Sequence, residues 1–100
     1  MGYQVALSPS AHRDLRDIVR YISADSKENA IRFGRFLISS TKRLTNFPEM
    51  GRVVPELGDP GIREIIVRSY RVIYRVDHGD CRIDILRFWH GARGTPTVDD

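Results

Sequence analysis

Residues 70–93, YRVIYRVDHGDCRIDILRFWHGAR, constrain the fold more than any other stretch. Tyr70, Val72, Tyr74 and Val76 alternate with Arg71, Ile73 and Arg75. β-Branched and aromatic residues at a period of two mark a half-buried strand. One face belongs to a core and the other, bearing arginine, turns outward. Asp77-His78-Gly79-Asp80 supplies a turn, with Gly79 free to take a positive φ. A second strand begins near Cys81. Ile83 and Ile85 fall on one face, then Leu86 and Phe88 on the other. That change of phase predicts a bulge, or a strand buried on both sides. Gly91 and Gly94 loosen the chain, and Pro96 ends any pairing.

The upstream chain reads as the cover for one face of this hairpin. Tyr3, Val5 and Leu7 alternate in a short first strand. Ser8-Pro9 then opens a helix, serine as cap and proline in the first turn. Ala11, Leu15, Ile18, Val19 and Ile22 form its apolar stripe. Arg13, Asp14, Arg16, Asp17 and Arg20 lie off that stripe, which predicts a solvated face with a weak Arg13–Asp17 pair. Asp25 with Glu28 resembles a capping box for a second helix running to about Phe47. Its inward stripe is Ala30, Phe33, Leu37, Leu44 and Phe47, and the small Ser40 and Thr41 let the first helix approach. Pro48 stops it. Residues 48–61 hold six prolines and glycines and form the connecting loop. Residues 62–69 are the next strand, with Ile65 and Val67 inward and a tight Arg68-Ser69 corner before Tyr70. The tail from Gly94 to Asp100 is expected to be mobile.

The order strand, helix, helix, three-stranded antiparallel meander predicts an α+β fold in a single domain over residues 1–100. The helical hairpin packs on one sheet face. The opposite face is expected to be exposed and studded with arginine. One cysteine excludes an internal disulfide framework and suits a reducing cytoplasm. No apolar run reaches the roughly 20 residues of a membrane span, so no membrane role is expected. His12, His78 and His90 offer no metal spacing, so neither metal nor cofactor is expected.

The net charge is +3, but the kind of cation says more. Lys27 and Lys42 are the only lysines, and the other 14 basic residues are arginines. Arginine contacts phosphate and carboxylate in a planar, bidentate way. Residues 62–93 carry seven arginines against Glu64, Asp77, Asp80 and Asp84. Candidate target-binding or nucleic-acid-binding cations are Arg63, Arg68, Arg71, Arg75 and Arg93. Each competes with a plain solvated-surface role. Trp89 and Phe88 read as core rather than as a base-stacking platform.

Four segments, in this order, carry a resemblance to the RelE/ParE superfamily of toxins from type II toxin–antitoxin pairs, which includes plasmid stabilisation proteins. They are SPSAHRDLRDIVRYI at residues 8–22, GRVVPEL at 51–57, SYRVIYRV at 69–76 and LRFWHGAR at 86–93. The resemblance implies a cytoplasmic toxin neutralised by a cognate acidic antitoxin, with operator DNA bound only through that antitoxin. It also implies one of two targets. RelE-like members cut mRNA on the ribosome, and ParE-like members inhibit DNA gyrase without a hydrolytic centre.

RNA cleavage needs a base for the 2′-OH, a cation for the charged phosphorane and an acid for the leaving oxygen. On the RelE-like reading the catalytic set is Arg71, His90 and Arg93. The lysines of the RelE type are replaced by Ile62, Arg63 and Glu64, and no aromatic residue follows Arg93 in the place of its C-terminal tyrosine. Those departures, the long first helix and the GRVVPEL loop place the chain nearer the ParE branch. An inactive member that only binds its antitoxin is the third alternative.

Overall fold

Ser8 starts the first helix as its chemistry predicts: its hydroxyl accepts the Ala11 N–H at 3.1 Å, and Pro9 fills the first turn. The computed structural model describes residues 2–98. Its order is β1 (Gln4–Leu7), α1 (Pro9–Ser23), α2 (Lys27–Thr41), a 3-10 turn (Lys42–Thr45), β2 (Arg52–Val53), β3 (Ile62–Val67), β4 (Tyr70–Asp77), β5 (Arg82–His90) and a second 3-10 turn (Gly91–Arg93). The fold is α+β, with the helical hairpin on one face of a five-stranded sheet ordered β1-β5-β4-β3-β2. β1 runs parallel to β5, and the other pairs are antiparallel. Among the described residues no helix is long and apolar enough to cross a membrane.

The bulge predicted in the second hairpin strand is present. Ile73 pairs with Arg87 and Tyr74 with Ile85, which leaves Leu86 as the extra residue. The bulge also corrects one expectation. Leu86 turns away from the helices, but Phe88 turns back beneath them, because the inserted residue restores the original phase. At the hairpin tip Cys81 takes the positive φ, at 50°, in place of Gly79.

Two cores sandwich the sheet. Under the helices, Ala11, Ile18, Leu37 and Leu44 meet Ile65, Val67, Val72, Tyr74, Ile83, Ile85 and Phe88. Gly34 lets the helices approach, since a Cβ there would meet the Val19 side chain at 3.0 Å. Ser40 and Thr41 donate their hydroxyls back to the Leu37 and Ile38 carbonyls. The opposite face is not an open arginine surface. Val54, Ile62, Ile73, Leu86 and Trp89 form a second core there, with Leu57 and Val98 packed against it.

The tail expected to be mobile is thus part of the fold up to Val98. Pro96 is fully buried, Arg87 donates to the Thr97 carbonyl at 2.9 Å and Trp89 Nε1 donates to the Gly94 carbonyl at 3.1 Å. Asp99 and Asp100 lie outside the described residues.

The second helix departs from the sequence reading at both ends. The N–H groups of Asp25 and Ser26 both bond back to Ile22 at the end of α1, and the cap is Ser26, whose hydroxyl accepts the Asn29 N–H. After Thr41 the chain tightens to 3-10 geometry, where each residue advances ~120° rather than ~100°. Leu44 stays buried, while Phe47 swings outward to 65% exposure. The loop after Pro48 also contains a strand too short to read from sequence, β2. It is anchored where the Gly51 N–H donates to the buried Tyr74 hydroxyl at 3.0 Å.

Candidate functional site

Period-two alternation sends Tyr70 and Arg71 to opposite faces of β4, and the ladder sets them beside His90 and Trp89 of β5. This single fact divides the predicted residues into two environments.

On the helix side, the end of β5 meets α1. Asp14, Asp17, Ile18, Tyr21, Tyr70, Phe88, His90 and Arg93 line a shallow depression of about 200 Å³. Tyr70 and His90 meet edge to face, with ring centres 5.1 Å apart. Burial, with Tyr21 nearby, pushes the Tyr70 phenol above its ordinary value. Tyr21 is 83% exposed and stands at the rim. His90 caps the closing turn: its Nδ1 accepts the Ala92 N–H at 3.1 Å. With Nδ1 accepting, a neutral imidazole carries its proton on Nε2. Arg93 lies with its guanidinium 4.0 Å from the centre of the Trp89 ring.

Asp14 is the keystone of this corner. β1 ends at Leu7, so beyond Ile85 the edge of β5 that faces away from β4 has no strand neighbour. The Asp14 carboxylate takes the neighbour's place, accepting the Phe88 N–H at 3.0 Å and both Nε and Nη2 of Arg87 at 2.7 and 2.9 Å. The solvated role expected for this part of the α1 face therefore fails at Asp14. The expected Arg13–Asp17 pair gives way to Arg13 on Ser10 and Asp17 near Arg20. Arg87, an arginine inside the apolar run ILRFW, carried the signal that sequence reasoning missed.

On the other side of the sheet, Arg71 is held by two carboxylates. Glu64 accepts from its Nε at 2.6 Å, and Glu56 takes Nη1 and Nη2 at 2.8 and 2.6 Å. Glu64 is 1% exposed and also receives Arg52 at 2.7 Å. The Arg71 hydrogen bonds pull the Glu56 carboxyl down to about 2. Hydrogen bonds to Glu56 and then Glu64 push the Arg71 guanidinium above its already high ordinary value. The chain Arg52–Glu64–Arg71–Glu56 straps the loop after β2 to the sheet.

The remaining predicted cations stand apart. Arg63 donates to the Gly51 carbonyl at 2.8 Å and ties down the loop. Arg68 takes the corner at φ 54° with its guanidinium 4.6 Å from the Phe36 ring centre. Arg75 lies opposite Ile62 and Asp84 in the ladder. Of the set Arg71, His90 and Arg93, the structure brings His90 and Arg93 to one depression and places Arg71 elsewhere. Phe88 and Trp89 are core residues, at 2% and 4% exposure. Tyr21, Tyr70 and Glu56, which the sequence reading did not single out, are part of these two environments.

A family model described as the ParE toxin of the type II toxin–antitoxin system parDE matches residues 5–94. No curated protein matches the chain in sequence. Solved structures do. One titled as the chromosomal ParDE toxin–antitoxin system from P. aeruginosa is 22% identical, with a TM-score of 0.72 over 88% of this chain and 95% of that one. The RelBE2 toxin–antitoxin complex of Mycobacterium tuberculosis is 27% identical, with a TM-score of 0.59 over 90% and 99%. A mutant of E. coli toxin RelE in its free state is 17% identical, with a TM-score of 0.67 over 94% and 88%. The family match spans both cores and both faces of the sheet, and on it the chain belongs to the ParE toxin family of type II toxin–antitoxin systems.

Proposed function

We propose that this toxin acts in the cytoplasm by contact with DNA gyrase, without a hydrolytic centre, and that a cognate antitoxin neutralises it and carries the complex to operator DNA. The observation that carries this reading is the state of Arg71. A cation that stabilises a phosphorane needs donors free to face the reacting phosphate. Arg71 gives its donors to Glu56 and Glu64, and it lies on the opposite sheet face from His90. His90 spends its Nδ1 on the Ala92 N–H of the closing turn. What remains around His90, with Tyr21, Tyr70, Asp17 and Arg93, is a mixed aromatic and charged rim of the kind that protein contacts use.

The competing reading, ribosome-dependent mRNA cleavage, draws support from the shared depression of His90 and Arg93. A translation extract programmed with one defined mRNA separates the two. With purified toxin added, mapped RNA 5′ ends should match the toxin-free control. Codon-phased new ends that require ribosomes would overturn the gyrase reading and make His90 and Arg93 part of a catalytic set. Normal growth on unpaired expression would instead favour a member that only binds its antitoxin.

A further inference from the structure

We propose that the outward face of the helical hairpin docks on the phosphate backbone of duplex DNA, through Arg16, Arg35 and Lys42. The proposal deepens the reading above and rests on it in one respect: gyrase and operator both set the toxin beside duplex DNA.

The distribution of charge comes first. Residues 9–45 carry eight cations against four carboxylates, a net +4, while the rest of the chain carries eight against nine, a net −1. The excess of the whole chain therefore sits on the hairpin, which turns that side toward a polyanion. The fold sharpens the contrast. On the sheet, Arg52, Arg71, Arg82 and Arg87 are bound to carboxylates. Of the hairpin's own carboxylates, Asp14 is spent on Arg87. The side chains of Arg16, Arg35 and Lys42 are exposed and have no ion pair or hydrogen bond with any described residue.

The packing of the hairpin brings these three together. Ile18 of α1 and Leu37 of α2 face the core. At about 100° per residue, Arg16 and Arg35, each two positions away, point to the opposite side. Val19 lies against Gly34 where the helices meet. The helices run antiparallel, so the turn before Val19 is level with the turn after Gly34, and Arg16 falls between Arg35 and Lys42. Those two are seven residues apart, roughly 10 Å along the helix. That span takes in about three phosphates of one strand, at roughly 3.4 Å of axis each.

The rest of this face argues against other partners. Single strands are held by stacking on exposed aromatic rings. The phenylalanines of the hairpin, Phe33 and Phe36, lie on the other flank of α2, against Tyr70 and Arg68. Interfacial helices sink Trp, Phe and Leu into lipid. This face offers Ile31 and Ile38 instead, at 44% and 39% exposure and flanked by cations. A second copy of this chain would set the same cations against one another. Arginine's planar donors fit phosphate oxygens, and contact with phosphate alone holds a duplex without reading its sequence. The hairpin thus adds a sequence-independent hold on DNA to the contacts that gyrase or the antitoxin makes.

The test uses the full chain and a labelled duplex of mixed sequence, followed by anisotropy from about 50 to 200 mM salt. Three phosphate contacts predict a slope of about −2.7 in log affinity against log salt, which is about 40-fold weaker binding across that range. Arg16→Gln with Arg35→Gln should bring the slope to about −1. Arg68→Gln with Arg82→Gln, an equal loss of charge on the sheet, should leave it unchanged. Glutamine suits a helix, and circular dichroism checks each fold. Lys42→Gln alone should remove about one unit of slope and gives an independent reading. The proposal fails if the duplex does not bind at about 1 mM protein in the lowest salt, or if both variant pairs lower the slope alike. It also fails if a single strand binds as tightly as the duplex, or if phosphatidylserine vesicles bind more tightly at equal phosphate. A gyrase supercoiling assay on the same protein keeps the readings apart. Duplex binding without gyrase inhibition sinks only the gyrase reading, and inhibition without duplex binding sinks only this one.

Discussion

Glu64→Gln should destabilise this toxin by about 2–3 kcal/mol, although it changes neither volume nor backbone. The Glu64 side chain has no exposed surface. It accepts Arg52 Nε and Nη2 at 2.8 and 2.7 Å, and Arg71 Nε and Nη2 at 2.6 and 3.2 Å. The Arg52 side is 62% exposed, and a solvated pair contributes about 1 kcal/mol at most. The Arg71 side is 11% exposed, and breaking a buried pair costs about 3–5 kcal/mol. Glu56 remains as a second partner for Arg71, and the new amide keeps one acceptor. The expected loss is therefore toward the lower end, about 2–3 kcal/mol. For a domain of this size that lowers Tm by roughly 10–20 °C and the urea midpoint by about 1–2 M. Circular dichroism melts and urea titrations read both. Arg71→Met in a double-mutant cycle should be sub-additive with Glu64→Gln by about 1–2 kcal/mol. A loss under about 0.5 kcal/mol, the range of an ordinary surface change, would refute the reasoning. Arg71 would then be free to serve a ligand.

Three other perturbations follow from the same geometry. Asp14→Ala strips Arg87 and the Phe88 N–H of their shared acceptor; it should cost about 3 kcal/mol and speed Phe88 amide exchange in particular, and unchanged exchange would contradict it. Glu56 titrates at about 2 in the fold against 4.5 for a free carboxyl, so its pair stabilises fully above about pH 4.5, a contribution lost as the pH falls toward 2. Glu56→Gln should accordingly flatten the fall in urea midpoint over that window, and an unaltered slope would contradict the pairing. Gly51→Ala drives a Cβ into the Glu64 carbonyl oxygen and to 2.7 Å from the Tyr74 hydroxyl, and should cost about 2 kcal/mol or more by thermal melt; wild-type stability would mean that the loop is not seated on β3.

Local chemistry carried much of the fold into the sequence. The Ser8 cap, the hairpin strands and the bulge at Leu86 follow from residue type and periodicity, whose signals act over a few positions. What was hidden depends on contacts between distant segments. The second core joins residues 54–57 and 96–98, both in stretches whose prolines and glycines read as loop. Yet Ile73, an apolar residue between Arg71 and Arg75, was a visible sign that this face is not open. The Asp14–Arg87 pair spans 73 positions, so the sequence shows an arginine inside an apolar run but not the carboxylate that meets it. Arginines that read as free cations prove to be engaged because sequence does not reveal which carboxylate will face them. Arg71 is the sharpest case, since its strand motif reads alike whether Glu56 and Glu64 reach it or not.

Supercoiling of relaxed plasmid by purified DNA gyrase, with this toxin and no ribosomes present, tests the central claim most directly. The account predicts that supercoiling falls as toxin is added and recovers when the cognate antitoxin is supplied. Full supercoiling at saturating toxin, from protein that arrests growth in cells, would contradict it.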